Sequence, residues 1–309
     1  MVQHHGFQGP DLRSRVLVAI AFDASAVIAI TRAEAMARVL DADLHVVHVV
    51  PGARWVDAIW PHRGALRGAP REAAVAVEAV HRLCEKVLGR PIARDRISVR
   101  VGAVVPRIVE IASQLDASLV VLGGDDDAGD RLRSHGIVRR VVREVRRPVL
   151  VARPWSSSRA IVAATDFSCA TFPTLTRAFE LGARLHAPVT FVHSVDTIMA
   201  LVASSTFGVA AVMLGGMLRD AVAKRGEILQ NVAERLGGGV DTIVLARENA
   251  AGAILEVARQ RDADLIVVGS HRPDALGWLA SGGTVEAVAT TARRCVLTVP
   301  IEVELPLAA

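Results

Sequence analysis

Short runs of Val, Ile, Leu and Ala alternate along this chain with longer stretches in which apolar residues recur at helical spacing. Val16-Leu17-Val18-Ala19, Leu119 to Leu122 and Val149 to Val151 are continuous apolar runs, the pattern of parallel strands covered on both faces. Between the first two runs, Ala33, Met36, Ala37 and Leu40 place one apolar stripe on a helix that packs against a sheet. Strands that alternate with helices imply parallel pairing through right-handed crossovers.

The same pattern occurs twice. Val16 to Ala19 matches Ile161 to Ala164, and Leu44 to His48 matches Val189 to His193, both at an offset of 145 residues. Ile108 to Ala112 matches Ile254 to Ala258, and Asp116 to Gly123 matches Asp262 to Gly269, at 146. Pro148 to Val151 aligns with Cys295 to Thr298 at 147. Blocks that keep their order while drifting by so little mark an internal duplication. The expected architecture is α/β, with two tandem doubly wound domains at residues 12–153 and 159–302. Arg153 to Ser158 is the expected linker, because Pro154 and its three serines interrupt regular structure.

Composition agrees with this organisation. A chain of 309 residues exceeds what one core usually serves. With 51% apolar but only 4% aromatic residues, Ala and Val must fill the interior. The net charge of +4 comes from 36 basic and 32 acidic residues that are interleaved, so no nucleic-acid partner is expected. Cys84, Cys169 and Cys295 have no metal-ligand spacing and read as reduced core thiols. The N-terminal stretch has no apolar core of a secretory signal, and a cytoplasmic location is expected.

Ile161 to Ser168, IVAATDFS, is similar to the opening strand of universal stress proteins. The Leu-x-x-x-His pattern ending at His48 and its counterpart ending at His193 resemble the second strand of that family. Asp264 to His271 resembles its fourth and Val296 to Pro300 its fifth. The resemblance implies a five-stranded parallel sheet of order 3-2-1-4-5 in each copy. The ligand crevice then lies outside the carboxyl ends of strands 1 and 4. In the family's ATP-binding branch, an Asp after strand 1 and a glycine-rich loop after strand 4 hold the nucleotide. Such a loop works because glycine lets backbone N–H groups approach phosphate beside a helix N-terminus.

In the second copy the resemblance places Thr165 and Asp166 at the adenosine, with Val268 and Gly269 opening the loop and Gly282 closing it. Arg272 replaces a loop glycine and precedes Pro273, which has no N–H to donate. Gly283 replaces the expected Ser/Thr, with Thr284 next, and Ser194 stands where ATP-binding relatives carry Val. ATP, ADP or AMP is therefore the candidate ligand of the second copy. Capping of the following helix is an alternative role for Asp166, as a simple strand-to-helix turn is for the glycines. The first copy has Ala21 in place of Asp166, and its loop carries Asp125, Asp126, Asp127 and Asp130, which would repel a polyphosphate. No nucleotide is expected there, and the aspartates read as a solvated acidic loop.

Three further features complete the reading. Arg139, Arg143 and Arg146 are expected on one face of a surface helix that pairs with the nearby aspartates. Thr197 to Leu218 carries no charge, but a membrane span there would split the second sheet, so a lid or partner surface is expected instead. His48 and His193 read as hydrogen-bonded core residues. The expected function is stress-associated binding of a small molecule, without enzymatic chemistry. A ligand-free interaction scaffold, or an apolar ligand held by residues 197–218, is the alternative. Weak ATPase activity has the least support. The two copies are expected to pack by a pseudo-twofold through their last strands, and self-association into a homodimer is expected as well.

Overall fold

The computed structural model describes residues 14–51, 69–124, 131–154, 158–168, 171–196, 210–247, 249–270 and 283–300. The first half runs β1 (Ser14–Ile20), α1 (Ala24–Leu40), β2 (Ala42–Pro51), α2 (Ala69–Leu88), a 3-10 turn (Arg94–Arg96) and β3 (Ile97–Gly102). It continues with α3 (Val104–Gln114), β4 (Leu119–Gly123), α4 (Arg131–Glu144) and β5 (Val149–Ala152). The second half repeats this as β6 (Ile161–Thr165), α5 (Thr171–Leu185), β7 (Val189–Asp196), α6 (Ala210–Arg235) and β8 (Asp241–Arg247). α7 (Ala250–Gln260), β9 (Leu265–Ser270), α8 (Thr284–Thr291) and β10 (Cys295–Pro300) complete it.

Within each half the strands are parallel and ordered 3-2-1-4-5. The halves are joined through their last strands: β5 and β10 run antiparallel, with Leu150 opposite Leu297. A single ten-stranded sheet results. The antiparallel pairing of equivalent strands relates the two halves by a local twofold, and it leaves neither strand with a bare edge.

Each sheet face carries one core layer that crosses this junction. On one face Ala29, Ile30 and Ala33 of α1, Val80 and Cys84 of α2, Leu175 and Leu181 of α5 and Leu229 of α6 pack on the strands. On the other, Ile108 of α3, Val141 of α4, Ile254 of α7 and Val288 of α8 do the same. Strands buried on both faces explain the unbroken Val/Leu runs. Small side chains allow close approach: a Cβ on Gly182 would come within 2.3 Å of Val189, so α5 lies tight against β7. Burial pushes the Cys84 thiol up to about 11, in keeping with an inert core cysteine.

The duplication extends to backbone conformation. Left-handed residues follow α1 at Asp41 and α5 at His186, and α3 at Asp116 and α7 at Asp262. Both pairs fall in the registers in which the sequence blocks repeat, which locates the same helix-ending turn in each half.

At the start of the expected linker, Arg153 is 2% exposed and its backbone N–H donates to Cys295 Sγ at 3.3 Å. Its carbonyl and that of Pro154 accept from Arg32 of α1, each at 2.9 Å. The arginine-rich helix ends at Glu144, so Arg146 does not share its face. Arg143 reaches Glu286 of the second half, and Arg147 pairs with Asp116. Asp125, Asp126, Asp127 and Asp130 lie outside the described residues. Residues 197–209 of the uncharged segment also lie outside them, and residues 210–218 form the first turns of α6. No helix among the described residues is long and apolar enough to cross a membrane.

Candidate functional site

Parallel strands place their carboxyl ends on one side of the sheet, and the order reverses between β1 and β4 and again between β6 and β9. Crevices at such reversals are the usual ligand sites of this fold class. Both halves build the end of their first strand in the same way. His48 of β2 donates Nδ1–H to the Ile20 carbonyl at 3.0 Å, and His193 of β7 donates to the Thr165 carbonyl at 2.8 Å. A carbonyl only accepts, so Nδ1 carries the proton in both rings. Phe22 packs on His48 and Phe167 on His193, each with ring centroids 4.4 Å apart. Both histidines are the buried, hydrogen-bonded residues that the sequence led one to expect, and the phenylalanine rings that cover them complete each strand end.

In the second half, Phe167 has φ of 60°, a left-handed conformation that costs a non-glycine residue energy. The Thr165 hydroxyl holds this turn by accepting from the Phe167 N–H at 3.0 Å and by bonding Thr171 Oγ1 at 2.6 Å. Asp166 is exposed and accepts from the Ser168 N–H at 2.9 Å. Ser194 and Val192 point to the same face of β7, the face beneath α7 and α8, to which Val268 also belongs. Ser194 Oγ is buried and has no hydrogen-bond partner among the described residues. Gly269 continues β9 beyond Val268. Gly283 and Thr284 open α8, whose N-terminus has no side-chain cap among the described residues. Among those residues a Cβ on Gly283 would meet nothing within 4 Å. Arg272 and Gly282 lie outside the described residues.

Arg225 of α6 is a cation that sequence reasoning missed. Its guanidinium lies 5.4 Å from the centre of the Phe167 ring. Nothing local marks it out beside Lys224 on a long charged helix; only the fold brings it over the strand end. Burial holds the His193 imidazole below its ordinary pKa, against the raising effect of its bond to Thr165, and Arg225 adds to the lowering.

In the first half the glycines at the end of β4 are closely packed. A Cβ on Gly123 would come within 2.3 Å of Ser25 Oγ, and one on Gly124 would fall on the Arg153 guanidinium at 0.8 Å. These glycines give room to protein side chains, leaving their backbone covered. Asp23 takes the cap of α1, accepting from the Ser25 N–H at 2.9 Å.

A model of the universal stress protein family matches residues 13–153 and again residues 157–300. Among solved structures, the chain is similar to a universal stress protein from Archaeoglobus fulgidus, at 15% identity and a TM-score of 0.64, over 92% of this chain and 97% of that one. It is also similar to a functionally unknown protein from Pseudomonas aeruginosa, at 18% identity and a TM-score of 0.62, over 93% of this chain and 92% of that one. Identities at this level speak to the fold alone. No curated protein matches the chain.

Proposed function

Because the chain belongs to the universal stress protein family, through two tandem copies of its domain, we propose that the second half binds an adenine nucleotide and the first half acts as its structural partner. The domains are taken as residues 12–153 and 159–302. In the second, Asp166, Ser194 and Val268 face the nucleoside, while Thr165 positions the Asp166 turn. Gly269, Arg272, Gly282, Gly283 and Thr284 form the phosphate side, and Arg225 adds a positive charge at the strand end. The output is binding, without turnover of the nucleotide.

The observation that carries this reading is the N-terminus of α8. Among the described residues, that N-terminus opens at Gly283 with no side-chain cap, after β9 at the reversal of strand order. Uncapped N–H groups and the positive end of a helix suit an anion.

Calorimetric titration with ATP and with AMP tests it. One site per chain is expected, with affinity reduced at least roughly tenfold in Asp166→Ala, the loss of one hydrogen bond to a charged group. Absence of heat with both nucleotides at millimolar concentration would overturn the proposal.

A further inference from the structure

The tandem arrangement creates a cavity that neither half has alone. α1 packs on β1 and β4, and α5 packs on β6 and β9, so on this face the joined strands β5 and β10 lie in the gap between two helices. The gap is a cavity of about 560 Å³, within the size range of small-molecule sites. Ala35, Met36 and Val39 of α1 form one wall, Leu185 of α5 stands opposite, and Leu150 and Leu265 contribute from the sheet. Arg184 of α5 donates to the Val39 carbonyl at 2.9 Å and ties the two helices together beside the cavity.

The charges around this cavity are unequal. Arg32 and Asp264 line it as a buried bidentate pair, at 2.6 and 2.8 Å, with Arg32 also bound to the carbonyls of Arg153 and Pro154. That pair is neutral as a unit and its donors are directed into the protein. Arg159 lines the same cavity, is exposed, and has no hydrogen-bond or ion-pair partner among the described residues. Among the described residues the lining therefore presents an apolar trough with an unpaired cation, Arg159, on its rim.

We propose that this cavity between the halves binds an amphiphilic carboxylate. Its hydrocarbon body lies between α1 and α5 against Met36, Val39 and Leu185, and its carboxylate pairs with Arg159. The hydrocarbon supplies affinity by leaving water, and the guanidinium supplies orientation by a charge-assisted hydrogen bond. The site is separate from the strand-end crevices, since it lies over the joined last strands and uses none of the residues assigned to the nucleotide.

Decanoate is the probe, with decan-1-ol as its uncharged counterpart, each titrated calorimetrically into the full chain. Decanoate is expected to bind at one site per chain and more tightly than the alcohol. Arg159→Glu, a substitution at an exposed position, is expected to weaken decanoate by roughly tenfold or more while leaving decan-1-ol unchanged. Ala35→Trp, which fills the cavity from α1, is expected to remove both. ATP titration of the same variants is expected to match the parent chain, which separates this site from the nucleotide reading. No decanoate binding, equal decanoate affinity in Arg159→Glu, or decanoate binding that persists in Ala35→Trp would each overturn the proposal.

Discussion

At the end of β7, burial is the main reason that the His193 imidazole stays neutral below its ordinary pKa, and this has a consequence for stability. A group whose folded pKa is depressed binds fewer protons in the folded state than in the unfolded chain as pH falls through its ordinary value of 6.5. For a histidine, that means the stabilising contribution is complete above this value and declines below it. Urea denaturation at pH 7.5 and at pH 5.5 is expected to show a larger acid-side loss for the parent chain than for His193→Gln. Equal losses would show that His193 is not the responsible group. The Leu-x-x-x-His pattern revealed that a histidine ends this strand. The packing of Phe167 and Arg225 around it was not legible, because their proximity depends on the turn after β6 and on the placement of α6.

Two aspartates illustrate what separates a cap from a binding residue at the level of elements. Asp23 directly precedes α1 and caps its N-terminus through Ser25. Asp166 makes a similar bond to Ser168, but α5 begins only at Thr171. Asp23→Ala is therefore expected to destabilise the protein by about 1 kcal/mol, the usual value of a helix cap. Asp166→Ala is expected to cost less, so that its effect appears in nucleotide affinity and not in the denaturation midpoint. A larger midpoint shift for Asp166→Ala than for Asp23→Ala would favour capping as its role. Sequence reasoning left the two roles of Asp166 open because both require an aspartate just after a strand, and the comparison of these two variants separates them.

The scale of the whole molecule is set by the contacts between halves. Arg32 and Asp264 are far apart in sequence yet form a pair whose side chains are only 5% and 12% exposed. Removing one member of such a pair strands a buried charge, so Asp264→Ala is expected to lower stability by about 3–5 kcal/mol. Joint replacement, Arg32→Met with Asp264→Leu, is expected to cost less than either single change, since no charge is then left uncompensated. Chemical denaturation of the three variants checks both statements. Exposed pairs such as Arg177 with Glu180 are expected to contribute no more than about 1 kcal/mol.

The sequence by itself determined the duplication, the alternation of strands and helices and the candidate crevice of the second half. Each of these depends on local periodicity or on blocks of adjacent residues, and both are preserved in a linear string. Tertiary structure alone decided that the two sheets merge through Leu150 and Leu297 and that Arg153 is buried under Arg32. It also decided that Gly123 and Gly124 make room for the side chains of Ser25 and Arg153, and that a cavity opens between α1 and α5. These outcomes depend on which side chains from distant segments occupy the same space, and that information arises only when both halves have folded and docked.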